Sequence, residues 1–277
     1  MTKRFGMGWQ RDLPDFRDYS PETDAIQKML KGSKALKAPR RMANSVDLSE
    51  WCSPIEDQGN IGSCTAHAGI GLLEYYERRA KGDHIDASRL FLYKTTRNLL
   101  GWTGDTGAWL RTTMKAMVLF GAPPERYMPY VEADFEVEPS AFCYAFGQSY
   151  QTISYYRLND HSTQGDDLVK RVKQFLAAGY PSMFGFTVYN FGNDKGEIAY
   201  PSGSDPVLGG HAVIAIGYDD NRKIGADKGA LKIRNSWGTG WGEDGYGWLP
   251  YRYLEEGLAD DFWSLFKSEY VDTGKFD

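Results

Sequence analysis

The spacing of apolar positions changes about halfway along the chain. In Thr65-Ala-His-Ala-Gly-Ile-Gly-Leu-Leu-Glu-Tyr-Tyr-Glu-Arg-Arg-Ala80, the residues Ala66, Ile70, Leu73 and Tyr76 recur at helical spacing. Lys81-Gly82 then supplies a basic last turn and a glycine stop. The same period predicts helices over Ala87 to Asn98 and Ala108 to Phe120, and Gly121-Ala-Pro-Pro124 ends the series. Beyond it the runs become short, alternating, and rich in aromatic and β-branched residues: Tyr150–Tyr156, Ser182–Tyr189, Ala212–Tyr218, Ala230–Arg234 and Gly245–Leu249. Glycine-rich turns separate them, and one helical stretch, Asp166 to Ala178, interrupts them. A helical half followed by a strand half predicts an α+β chain of two lobes, with an antiparallel barrel or sandwich in the second. A cleft between lobes is where substrate sites tend to lie.

Residues 1–45 fit neither pattern. Arg11–Asp18 is charged and extended, Ala25 to Leu30 has room for about one and a half helical turns, and Lys31–Arg41 is basic and punctuated by Gly and Pro. The expected organisation is therefore an N-terminal extension over 1–45, a helical lobe over 46–149 and a β-rich lobe over 150–277.

Composition narrows the function. Hydrophobic residues at 42% and charged residues at 25% are the balance of an ordinary folded globule. A net charge of −5 offers no basic surface, so neither nucleic acid nor an anionic membrane is an expected partner. No apolar run approaches the roughly 18–20 residues of a membrane span. No secretory signal is visible behind Met1, which points to a cytoplasmic protein or one exported by a non-classical route. Cys52, Cys64 and Cys143 cannot form a closed disulfide framework, and four scattered histidines have no metal-ligand spacing.

Three segments carry chemistry. In Asp57-Gln-Gly-Asn-Ile-Gly-Ser-Cys64 a cysteine opens a helix, where free backbone N–H groups and the helix dipole favour the thiolate. Gly59 and Gly62 provide the backbone freedom to present it. Gln58 carries an amide that, with the Cys64 N–H, makes a two-donor pocket for an oxyanion. In Gly209-Gly-His-Ala-Val-Ile-Ala-Ile-Gly-Tyr218 a histidine enters an apolar strand, rigidly placed as a general base. In Arg234-Asn-Ser-Trp-Gly-Thr-Gly-Trp-Gly-Glu-Asp-Gly-Tyr246, Asn235 can accept the distal imidazole N–H while Trp237 shields that bond from water. His67, three residues after Cys64, lacks an orienting partner and reads as packing, and Cys52 and Cys143 read as inert thiols.

These segments, in this order, resemble the papain-like cysteine peptidases, with His211 lying 147 residues after Cys64 and Asn235 a further 24 on. Val46-Asp47 resembles the start of their mature domain, and Gly121-Ala-Pro-Pro-Glu-Arg-Tyr-Met-Pro-Tyr130 a mid-chain segment of theirs. The resemblance covers roughly residues 46–250 and implies a papain-like two-lobe fold with a barrel-like right lobe. It implies Cys64 as nucleophile, His211 as acid/base, Asn235 as the residue orienting the imidazole and Gln58 as oxyanion donor. Thr106, Gly107, Gly210 and Trp237 are the implied substrate-binding residues, the first three bordering the P2 pocket, whose preference is left open. The implied reaction is hydrolysis of peptide bonds through a thioester, as an endopeptidase acting on a peptide or protein. It calls for no cofactor and no metal, and a monomer is expected. Interception of the thioester by an amine (a transpeptidase or ligase) and an inactive peptide-binding relative are the alternatives.

The chain also departs from the pattern. Thr65 stands where many members have Trp, Ile61 where secreted relatives have a disulfide cysteine, and Gly210 where papain has Asp. Gly104-Asp-Thr-Gly107 replaces a cysteine-rich segment, so a disulfide-free, microbial-type member is implied. Residues 1–45 are a candidate pro-segment, although shorter than the helical one of lysosomal relatives.

Overall fold

The computed structural model describes residues 5–31, 34–36, 42–150 and 154–266. After a short helix α1 (Asp24–Met29) and a strand β1 (Ser45–Asp47), the chain enters α2 (Cys64–Lys81), which is buried over most of its length. Two glycines set that position. A Cβ on Gly69 would press on Leu92, Thr113 and Met117, while one on Gly71 would strike Arg234 and Ile214. One face of α2 therefore lies close against α3 (Arg89–Leu100) and α4 (Leu110–Phe120), and the other close against the sheet. Gly82 ends α2 at φ 83°, its N–H bonded to Arg78 O, as a glycine in the left-handed region does. The helices α5 (Ala141–Gly147), α6 (Gly165–Ala177) and α7 (Arg252–Glu255) complete the α-helices among the described residues, beside several short 3₁₀ turns.

The second half contributes β2 (Ser154–Arg157), β3 (Ser182–Val188), β4 (Gly209–Ile224), β5 (Asp227–Arg234), β6 (Tyr246–Pro250) and β7 (Ala259–Phe266). They form one antiparallel sheet in the order β2-β7-β3-β4-β5-β6, with β1 paired to β4 through Ser45–Asp47. The fold is the expected α+β type, but the sheet stays open between β2 and β6 rather than closing into a barrel. Within the run expected as a strand over Tyr150–Tyr156, Gln148–Tyr150 is a 3₁₀ turn and the strand begins at Ser154. Residues 151–153 of that run lie outside the described residues.

Strand β7 escaped the hydrophobic pattern because all eight of its residues are buried, so no alternation marks it. Its buried polar residues take protein partners in place of water: Asp260 pairs with Asn159 and Arg11, and Ser264 with Tyr76 and the carbonyl of Pro181.

Candidate active site

The loop before α2 is pinned from several sides. Gln58 N–H donates to Ser236 O at 2.9 Å, and Ser236 Oγ donates back to Gln58 Oε1 at 2.6 Å. Gln58 Nε2 is held by Ile61 O at 3.0 Å, and Tyr130 OH donates to Gln58 O at 2.9 Å. Gly59 has φ 63°, which only glycine adopts readily. Gly62 serves differently: its backbone conformation is ordinary, but a Cβ there would crowd Met7 O, Asp105 Oδ1 and Gly107 N at 3.1–3.3 Å. Its N–H donates to Asp105 Oδ1 at 2.8 Å, which fixes the last turn before Cys64.

Cys64 is the first residue of α2 and is fully buried. Across from it, His211 on β4 sits with Nε2 2.7 Å from Asn235 Oδ1. Trp237 stacks on the imidazole with ring centroids 4.3 Å apart at 21°, and Phe186 meets it edge-on. Among the described residues His211 Nδ1 has no hydrogen-bond partner, while the backbone N–H of the next residue, Ala212, is directed at the Cys64 sulfur and favours its thiolate. The helix N-terminus and the strand that carries the histidine therefore meet at one sulfur.

Residues 5–10 also run through the site. Gly6 N–H donates to Gly59 O at 3.0 Å, and Gly6 O accepts from Gln58 Nε2 at 3.1 Å and from Trp237 Nε1 at 3.3 Å. Phe5 stacks on Trp237 at 4.5 Å. Ala108 N–H donates to Gly8 O at 2.8 Å, Trp9 N–H donates to Gly210 O at 3.0 Å, and Gln10 N–H donates to Ala108 O at 3.2 Å. At the crossing point only glycine fits, because a Cβ on Gly8 would lie 1.9 Å from Gly62 O and one on Gly107 would lie 2.0 Å from Gly8 O.

Burial dominates the electrostatics. It pushes the Cys64 thiol up to about 11, against the pull of backbone N–H groups from Ala212, Gly8, Thr65 and Trp9. Burial likewise pulls His211 down to about 4, with the Asn235 hydrogen bond opposing. At neutral pH burial therefore favours the uncharged form of both groups, against the preference of the helix start for a thiolate.

Each residue expected to touch substrate instead touches the segment. Thr106 O accepts from Gln10 Nε2, Gly107 packs on Gly8, Gly210 on Trp9, and Trp237 on Gly6 and Phe5. Cys52 and Cys143 are buried free thiols, bonded to Leu48 O and Tyr127 O. His67 is buried against Tyr130 and bonded to Ser63. Sequence reasoning missed Trp9 and Asp261, whose contact joins positions 252 residues apart. The one available signal was Gly6-Met-Gly8, a stretch thin enough to pass a narrow gap.

Comparison with known proteins places the sequence and the fold. Residues 42–260 match the papain family cysteine proteases. A peptidase C1-like protein of Acanthamoeba polyphaga mimivirus is 33% identical over 218 residues, 76% of this chain and 68% of that protein. Cathepsin K of Gallus gallus is 28% identical over 201 residues, 71% of this chain but only 54% of its own length. Among solved structures, xylellain, a cysteine protease from Xylella fastidiosa, superposes with a TM-score of 0.77 at 33% identity, covering 96% of this chain and 97% of that one.

Proposed function

The chain belongs to the papain family of cysteine proteases, and on that premise we propose that it is an endopeptidase run by Cys64, His211, Asn235 and Gln58 and held latent by residues 5–10. The reading rests above all on one arrangement: an imidazole fixed through Nε2 by Asn235 under Trp237, with Nδ1 unpartnered beside the strand N–H that meets Cys64 Sγ.

In the reaction, His211 Nδ1 takes the thiol proton and the sulfur attacks the peptide carbonyl. Gln58 Nε2 and the Cys64 N–H stabilise the oxyanion, and His211 protonates the leaving amine. Water, deprotonated by His211, then cleaves the thioester. Gln58 is suited to this because Ser236 and Ile61 hold its amide flat, and the N–H now given to Gly6 O turns to an incoming oxygen once the segment leaves. Asn235 keeps the imidazole in the tautomer that carries its proton on Nε2.

Latency follows from what the segment presents to the sulfur. The N–H groups of Gly8 and Trp9 face Cys64, whereas Gly8 O is turned away to Ala108. The nucleophile meets hydrogen-bond donors instead of a carbonyl carbon, so the segment covers the site without being cut. Charge anchors it further out, through Arg11 to Asp260 and through Asp12 and Asp18 to Arg111. Residues 1–45 act as an inhibitory leader in this reading, ahead of lobes over 46–149 and 150–277. An extended chain passes Cys64 on both sides, Phe5–Met7 towards Trp237 and Trp9–Gln10 towards Gly210, which favours endo- over exo-cleavage. Replacing Cys64 with Ala is expected to abolish peptide cleavage and labelling by a thiol-directed epoxide with an unchanged circular dichroism spectrum. Residual turnover by that variant would refute the assignment.

A further inference from the structure

We propose that the pocket filled by Trp9 selects the P2 side chain of the substrate and favours an aromatic residue carrying a hydrogen-bond donor, tryptophan before all others, because Asp261 sets an acceptor at its floor. The proposal deepens the peptidase reading and rests on it.

The pocket is made by two glycines and one bent strand. A Cβ on Gly185 would lie 1.9 Å from the Trp9 indole, and one on Gly210 would lie 2.9 Å from it and 2.2 Å from Trp9 O. The ring therefore occupies volume that any other residue at either position would fill. At its inner end, Nε1 donates to Asp261 Oδ2 at 3.2 Å. Asp261 is fully buried and has φ 66°, one of two non-glycine residues in the left-handed region among those described. It sits where the β3–β7 register slips by one residue, Met183 facing Trp263 but Gly185 facing Asp260. A bulge of this kind re-aims a side chain, and strain held at one residue marks a place where its direction matters.

The other carboxylate oxygen is already occupied. Asp261 Oδ1 accepts from Trp263 Nε1 at 2.7 Å and pairs with the buried Arg157 at 3.2 Å. Once the segment leaves, Oδ2 remains as a buried acceptor without its donor, and a substrate that restores the bond is preferred. Arg157 already balances the charge, so a second cation at Oδ2 would face it, whereas a neutral indole N–H does not. Phenylalanine fills the volume but leaves the acceptor unmet.

The test uses the full-length chain with Trp9→Ala, which vacates the pocket, and four fluorogenic peptides differing only at P2: Trp, Phe, Leu and Arg. The expected kcat/KM for Trp exceeds those for Phe and Arg by about tenfold or more, the scale at which a buried hydrogen bond discriminates. Adding Gly185→Ala is expected to lower the Trp rate about tenfold and to leave Leu within about threefold, since a methyl removes the depth an indole needs. Adding Asp261→Leu is expected to reverse the order to Phe over Trp. Should that variant not fold, the Gly185→Ala comparison still decides. Phe or Arg cut as fast as Trp, or a Trp preference untouched by Gly185→Ala, overturns the assignment. No cleavage of any peptide while Cys64 of that chain reacts with iodoacetamide overturns the peptidase reading; a Cys64 still shielded from iodoacetamide shows that Trp9→Ala has not vacated the pocket and overturns the assignment of Trp9 as its occupant.

Discussion

The seating of residues 5–10 turns on Gly8, and Gly8→Ala tests it. The added methyl would lie 1.9 Å from Gly62 O and 2.7 Å from Gly62 Cα. Those are backbone atoms of a loop pinned by Asp105 and Gln58, so the strain falls on the segment rather than on the loop. Against that strain stands the docking of Trp9, an aromatic side chain of about 150–250 Å². At roughly 25 cal/mol per Å² its burial contributes about 4–6 kcal/mol. Backbone hydrogen bonds at Gly8, Trp9 and Gln10 add about 1 kcal/mol each. Overpacking of a tight contact costs about 1–3 kcal/mol. Docking wins, so most molecules stay covered, but the open fraction rises by roughly five- to hundredfold at 1.4 kcal/mol per decade. The full-length Gly8→Ala chain should therefore cleave a peptide substrate, and react with iodoacetamide at Cys64, faster than the parent by that factor. Gly203→Ala is the matched control, since a Cβ there meets nothing within 4 Å. A folded Gly8→Ala chain with parental rates in both assays would falsify the idea that the segment is the barrier.

Three further outcomes are expected. Alkylation of Cys64 in the covered parent should be slow at pH 7 and rise about tenfold per pH unit toward about 11, because burial raises the thiol and only the thiolate reacts; in Gly8→Ala the rise should begin at lower pH. Ser236→Ala releases Gln58 Oε1 from a 2.6 Å hydrogen bond and should lower kcat about five- to tenfold with little change in KM, measured once the segment has been displaced. Glu74→Ala strips the buried Arg89 of its fully buried partner at 3.0 Å, a loss of about 3–5 kcal/mol, and should drop the calorimetric Tm by roughly 10 °C.

The Cys64 loop, the histidine strand and the asparagine turn were legible from residue order because each is a local motif whose backbone demands show in its own letters. Gly59 at φ 63° and the cysteine opening α2 are examples. The helices announced themselves through their period, and Gly82 marked where the longest of them stops. Strand β7 and the open sheet did not, since a strand buried on both faces carries no alternation and closure depends on which edges pair.

From its letters alone the chain specified its class and its helical and strand halves, and it marked Cys64, His211, Asn235 and Gln58 as candidates for one site. Only the fold decided that the sulfur lies covered and uncharged, and that Trp9 reaches Asp261 across 252 positions. Local propensity is written in neighbouring residues, whereas desolvation and a shared pocket arise only when distant segments are packed against each other.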